Sequence, residues 1–194
     1  MENGLHDVAP GKVAMIVTHL EMRTPVSRNA GCPEGVQFKR ITPGVEDYRV
    51  LFRRVGQDWL WFGRLVMEDG ALRRILRDPL VDIFTLMKDG EPHALLELDF
   101  RQPGECELAY FGLSSALIGK GAGAYLMDRA VNHAFERDIT RFHVHTCTID
   151  SQQALPFYIR SGFDVTRQQV EIADDPRIAG YLPKTAAPHV PLIE

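Results

Sequence analysis

A chain of 194 residues can bury one substantial hydrophobic core, so a single domain is the default. Its hydrophobic fraction of 45% and charged fraction of 25% are ordinary for a soluble globular protein, and its net charge of −4 argues against nucleic acid as a main partner. The apolar runs are too short for a membrane span and none reads as a signal peptide, while three widely spaced cysteines (Cys32, Cys106, Cys147) make no disulfide framework and point to a reducing cytoplasm.

Residues 1–11 are polar and expected to be loose. Val13-Ala14-Met15-Ile16-Val17 marks a strand within 12–22. Residues 23–44, with Pro25, Pro33 and Pro43, read as a loop holding one short strand at 36–40. Val45, Tyr48, Leu51, Phe52 and Val55 recur at helical spacing and predict an amphipathic helix over 45–56. The aromatic run Trp59-Leu60-Trp61-Phe62 follows. Asp69 is expected to cap a second helix with Leu72, Ile75 and Leu76 on one face, stopping at Asp78-Pro79. Strands at 81–87 and 93–100 form a hairpin through Lys88-Asp89-Gly90-Glu91-Pro92.

Pro103-Gly104 turns the chain into a strand at 106–113, where alternation puts Glu105, Glu107, Ala109 and Phe111 on one face. The next helix buries Leu126, Met127, Ala130, Val131, Ala134 and Phe135. A strand at 141–149 precedes a helix at 151–161, whose early Pro156 predicts a bent or late-starting first turn and which ends at Gly162. A strand at 163–173 and a loose, proline-bearing tail close the chain. Strand, two helices, three strands, helix, strand, helix, strand is a mixed α/β order. The strands on either side of the third helix need a crossover and are expected to be parallel.

The centre of the chain is residues 106–127, where a strand, a glycine-rich turn and a helix start follow one another. Free first-turn N–H groups and the positive end of a helix dipole make this an anion site, and glycines let a phosphate approach. The dinucleotide fingerprint fails because position 126 is Leu, and the phosphate loop of nucleotide hydrolases fails because no Gly-Lys-Ser/Thr is present. Ile118-Gly119-Lys120-Gly121-Ala122-Gly123-Ala124 instead resembles the acyl-CoA loop of the GNAT superfamily of N-acetyltransferases, Gln/Arg-x-x-Gly-x-Gly/Ala. Gly121 and Gly123 take the glycine positions, and Ile118 stands where Gln or Arg is usual. Ser151-x-x-Ala154-x-x-Phe157-Tyr158-x-x-x-Gly162-Phe163 is similar to a second motif of that family, with Ser in place of Asn.

The resemblance covers residues 45–171 and implies a single GNAT domain over 1–194, with a mixed central sheet and helices on both faces. It implies acetyl-CoA as cosubstrate, no metal, and acetylation of a primary amine of a small molecule by direct attack in a ternary complex. The backbone of Gly119, Lys120, Gly121, Ala122, Gly123 and Ala124 would hold the pyrophosphate. That of Phe111 and Leu113 would pair with the pantetheine arm, and Ser151 joins the cofactor-binding set. Tyr158 falls where many members carry the acid for the departing thiolate; a core tyrosine is the other reading. Glu107 falls where some branches carry a general base; an exposed or salt-bridged strand acid is the other reading. Glu105, then His145 through a water, come next as bases.

His143, His145 and Cys147 share a strand face at period two, a pattern that a metal could use. Cys106 and Cys147 are candidate acyl-carrying nucleophiles without a base partner in the sequence. Trp59, Trp61 and Phe62 lie in the insertion that usually forms the family's acceptor pocket; ordinary core aromatics are the other reading. A non-catalytic acyl-CoA sensor, acetylation of a protein amine, and a homodimer all stay open.

Overall fold

A computed structural model describes residues 2–26 and 28–194. Met1 and Ser27, parts of the expected loose start and of the expected loop, lie outside the described residues. The elements in chain order are β1 (Lys12–Met22), β2 (Val36–Arg40), α1 (Val45–Gly56), α2 (Asp69–Leu76), β3 (Val81–Lys88), β4 (Glu91–Pro92), β5 (Ala94–Asp99), β6 (Glu105–Leu113), α3 (Ala122–Phe135), β7 (Arg141–Cys147), α4 (Ala154–Arg160) and β8 (Asp164–Asp174). A 3-10 turn, Gln57–Trp59, follows α1.

The strands form one sheet in the order β2-β3-β5-β6-β7-β1-β8, with β4 beside β3. β6 and β7 are parallel, as a helical crossover between them requires. The other pairings are antiparallel. Two hydrophobic cores sit on opposite faces. α1, α2 and the end of the chain pack on one face against Met15, Val17, Ile83 and Leu95. α3 and α4 pack on the other against Leu20, Leu96, Leu108, Phe142 and Val144.

Several expectations are corrected. Asp69 is the first residue of α2, and Glu68 is the N-cap. The Asp69 carboxylate accepts from Arg49 Nη1 at 2.7 Å and is not free to cap. β7 stops at Cys147 because Asp150 folds back, its Oδ2 accepting the Cys147 N–H at 3.0 Å. α4, by contrast, starts late as Pro156 predicts, at Ala154 rather than 151, with the proline inside its first turn where the missing N–H has no partner to lose. The tail is not loose over 175–191. Arg177 is buried, pairs with Asp175, and donates to the carbonyls of Ala186, Val190 and Pro191. Leu182, Ala186, Ala187 and Val190 are thereby packed into the first core.

The alternation on β6 is also corrected. Leu98 of β5 pairs with Leu108, yet Glu97 pairs with Tyr110, so Ala109 is an extra residue, a β-bulge. One extra residue reverses which side chains face which side. Tyr110 therefore joins the α1/α2 face, while Phe111 joins the α3/α4 core. Glu107 and Phe111 lie on opposite faces of the sheet.

Candidate active site

β6 and β7 pair only at Glu105–Arg141, Cys106–Phe142 and Glu107–His143. Beyond that point β6 continues to Leu113 and β7 to Cys147 with no further register between them, so the strands diverge. The β7-facing backbone edge of β6 is left without a strand partner over residues 108–113, and its N–H and C=O groups remain to be satisfied. A cavity of about 730 Å³ fills the gap and reaches both faces of the sheet. On the α3/α4 face it is lined by Leu113, Gly119, Gly123, Ala154 and Phe157. On the α1/α2 face it is lined by Met15, Val17, Trp59, Trp61 and Phe62.

The glycine loop brackets the first opening. Gly119 and Gly121 have φ of +77° and +78°, a conformation that L side chains rarely adopt. Gly121 is the N-cap of α3, and no described side chain caps the helix. Among the described residues, no acceptor meets the backbone N–H groups of residues 119–124. Six consecutive donors without acceptors at a helix N-terminus match what a pyrophosphate needs. Lys120 turns its ammonium back onto the Ala116 carbonyl at 2.8 Å. Ile118 is 53% exposed and lines the cavity beside Gly119, so the departure from the usual Gln or Arg falls at its solvent-open edge.

Of the residues singled out from the sequence, Phe111, Leu113, Gly119, Gly123, Ser151 and Tyr158 line the cavity. Lys120, Gly121, Ala122, Ala124 and Glu107 do not, and the Ala122 side chain is fully buried. Ser151 Oγ accepts the Gln153 N–H at 3.3 Å, holding the turn that leads into α4. Tyr158 is 6% exposed, with its ring centroid 6.2 Å from that of Phe111 and 5.9 Å from that of Phe163. Its hydroxyl bonds to no described residue. Burial, helped by the Asp150 charge, pushes this phenol far above its ordinary value, so it stays protonated.

The acids of β6 are differently engaged. Glu105 accepts from Arg141 at 3.0 Å and stands 3.5 Å from His143 Nε2, a salt-bridged strand acid. Glu107 lies 3.6 Å from His145 Nδ1, outside the cavity wall, whereas His145 is part of that wall. Burial, with Asp150 nearby, raises the Cys147 thiol to about 11; burial raises Cys106 further. Neither thiol is a ready nucleophile. His143, His145 and Cys147 do share a face, but among the described residues no cluster of three or more His, Cys, Asp or Glu could hold a metal.

Asp150 is the site residue that sequence reasoning missed. Its Oδ1 accepts from Trp61 Nε1 at 3.1 Å, and its Oδ2 accepts from Thr146 Oγ1 at 2.7 Å. The Trp61 bond spans 89 positions in the chain, and no local pattern announces it. The segment carrying Trp61 is fixed from behind by Arg64, which donates to the fully buried Glu97 and sits 5.0 Å over the Tyr110 ring.

The acetyltransferase (GNAT) family model matches residues 48–163, which is more than half of the chain. The chain belongs to the GNAT family. It carries an N-acetyltransferase domain, and the strand splay, the glycine loop and α4 all fall within the matched region. Compared by sequence with curated proteins, the chain finds no match. Among solved structures it is similar to a tandem GNAT protein from the clavulanic acid biosynthesis pathway, with TM-score 0.60 and 13% identity, over 82% of this chain and 53% of that one. It is similar to a GCN5-related N-acetyltransferase from Sphaerobacter thermophilus, with TM-score 0.59 and 16% identity, over 86% and 52%. An aminoglycoside acetyltransferase from an uncultured soil metagenomic sample gives TM-score 0.54 and 14% identity, over 66% and 87%. At these identities the likeness shows the GNAT fold alone, and the chain spans about half the length of the first two proteins. Among the described residues no helix is long and apolar enough to cross a membrane.

Proposed function

We propose that this GNAT domain moves an acetyl group from acetyl-CoA to a primary amine of a small molecule, by direct attack within a ternary complex. The observation that carries the reading is the cavity that passes between β6 and β7, with the unpaired donor loop at one opening and an aromatic wall at the other. Acetyl-CoA would supply the activated acyl group. The N–H groups of residues 119–124 would take its pyrophosphate, and the open edge of β6 at Phe111 and Leu113 would pair with its extended arm, as an added strand does. The acetylation named for the soil metagenomic structure, of a small aminated molecule, is consistent with an acceptor of that size.

Tyr158 is the acid in this reading. A phenol well above its ordinary pKa is a weak acid, but burial acts on a departing thiolate in the same direction. The Cys147 thiol of the same cavity is raised by burial in this way. Glu107 serves as base through His145: the ring meets the amine proton at the cavity wall, and the carboxylate behind Nδ1 supports the charge it gains.

The test is release of free thiol from acetyl-CoA with an amine panel, for the wild type and Tyr158→Phe. Because the hydroxyl bonds to no described residue, the variant should fold and bind CoA normally while turnover falls roughly 10²-fold, the scale of general acid catalysis. CoA binding without thiol release for any amine would make the protein a sensor. Full turnover in Tyr158→Phe would assign the residue to packing.

A further inference from the structure

We propose that the acceptor is a primary monoamine carrying an apolar body about the size of one ring, and that Trp61, held in place by Asp150, selects it. This rests on the transferase reading above and names the substrate class for the same cavity.

Trp61 is built into its position by five neighbours. Its ring centroid lies 5.5 Å from that of Phe52 and 5.3 Å from that of Tyr110. A Cβ added at Gly112 would stand 2.9 Å from Trp61 Cη2 and 2.6 Å from Val55 Cγ1, so glycine at 112 lets the indole approach the backbone of β6. A Cβ at Gly56 would also collide with it. On the far side of the gap, Nε1 donates to Asp150. The indole therefore reaches from the strand on one side of the splay to the loop after the strand on the other, and forms a fixed wall of the acceptor end. Tertiary contacts that over-determine one side chain in this way fix the shape of a pocket.

Much of the rest of that end is apolar: Met15, Val17, Trp59, Phe62 and Ile149. The acidic groups on the wall are Asp150 and Glu171, and the basic group besides His145 is Arg160. Asp150 already accepts three bonds, from Trp61, Thr146 and the Cys147 N–H, which leaves its carboxylate about one acceptor position for an ammonium. Aromatic faces add attraction for a cation. An aminosugar would place several hydroxyls against carbon, and a polyamine would bring more charges than Asp150 and Glu171 can meet, each losing roughly tenfold in affinity when left unpaired. A single amine on an apolar body leaves none.

The experiment compares kcat/KM for 2-phenylethylamine, hexylamine, glycinamide, spermidine and an aminocyclitol antibiotic at fixed acetyl-CoA, with CoA binding followed by calorimetry. The two apolar monoamines should lead the others by ~10-fold or more, the scale of a hydrophobic pocket's discrimination. Trp61→Ala should lower the ratio of 2-phenylethylamine to glycinamide at least ~10-fold with CoA affinity retained. If Trp61→Ala fails to fold, Trp61→Phe, which keeps a ring and loses the bond to Asp150, should shift the ratio in the same direction, and the wild-type panel decides regardless. Preference for spermidine or the aminocyclitol overturns the substrate class and leaves the transferase reading standing. CoA binding without turnover of any acceptor overturns both.

Discussion

The three loop glycines are not equivalent at the level of the residue. Gly121 is needed for its backbone angle, since an L residue forced into that region loses about 1–2 kcal/mol. Gly123 has ordinary helical angles, and a Cβ there would sit 3.7 Å from Phe157 and 3.8 Å from Leu113, normal contacts. Its role is the space it leaves in the cavity wall. Gly123→Ala should keep or slightly raise stability, alanine being the better helix former by about 1 kcal/mol, yet weaken CoA binding by tenfold or more, at about 1.4 kcal/mol per tenfold. Gly121→Ala should lose stability in urea titration. Unchanged CoA affinity in Gly123→Ala would remove the loop from the binding site. The base can be probed at the same scale. If Glu107 acts through His145, Glu107→Gln and His145→Gln should each flatten the acidic limb of kcat/KM against pH for a low-pKa amine. The double variant should be no worse than His145→Gln alone, because groups acting as one unit are not additive. Additive losses would separate the two residues.

At the level of elements, a one-residue bulge decides the layout of the site. Without Ala109 as the extra residue, Tyr110 would face α3 and Phe111 the acceptor side. With it, Tyr110 packs under Trp61 and Arg64, and Phe111 stacks on Phe157 with ring centroids 5.5 Å apart, next to Tyr158. The segment after β8 is a second case. Arg177 is its organiser, 3% exposed, bonded to Asp175 at 2.7 Å and to four main-chain carbonyls. It draws Leu182 and Val190 into the first core and brings His189 to the Ile149 carbonyl at 2.8 Å, beside the acceptor wall. Arg177→Ala leaves a buried carboxylate and those carbonyls unpaired, so it should destabilise by about 3–5 kcal/mol. Equilibrium urea unfolding measures this; a change below about 1 kcal/mol would mean that the segment contributes little to the fold.

The whole molecule is two cores fused through one sheet, and its stability should depend on pH in two stages. Burial lowers the pKa of His143, and burial with Arg167 lowers that of His19. Below the unfolded value near 6.5, the unfolded chain binds these protons first, so stability declines gently as pH falls from about 6.5. Asp99 and Asp175 are pushed up by burial but pulled further down by Arg101 and Arg177, and Glu21 is drawn down by Arg141. Their contribution is complete above the unfolded carboxylate values near 4 and is lost as pH falls through the lower folded values, giving a second, steeper decline below about pH 4.5. Urea midpoints from pH 8 to 3 check both stages, and replacing His19 and His143 by Gln should remove the first. Stability that rises between pH 7 and 5 would contradict the assignment.

The order of the main elements, the buried faces of the helices and the family resemblance were legible in the sequence, because each rests on local periodicity or on residues adjacent in the chain. Val45, Tyr48, Leu51, Phe52 and Val55 recur at helical spacing, Gly121 and Gly123 open a helix, and Ser151 to Phe163 fit one motif. Gly119, Gly123, Ser151 and Tyr158 converge on the cavity for the same reason: each belongs to a continuous signature, whereas Phe111 and Leu113 follow only from the resemblance, by their place on the strand before the loop. What only the tertiary structure decided depends on residues far apart in the chain. The bulge at Ala109 exists in the register between β5 and β6, not in the composition of either strand. The bond from Trp61 to Asp150, the separation of Glu107 from the cavity by His145, and the burial of Arg177 among its own tail's carbonyls arise from which elements the sheet sets side by side, and side-chain pairing across such distances leaves no periodic trace.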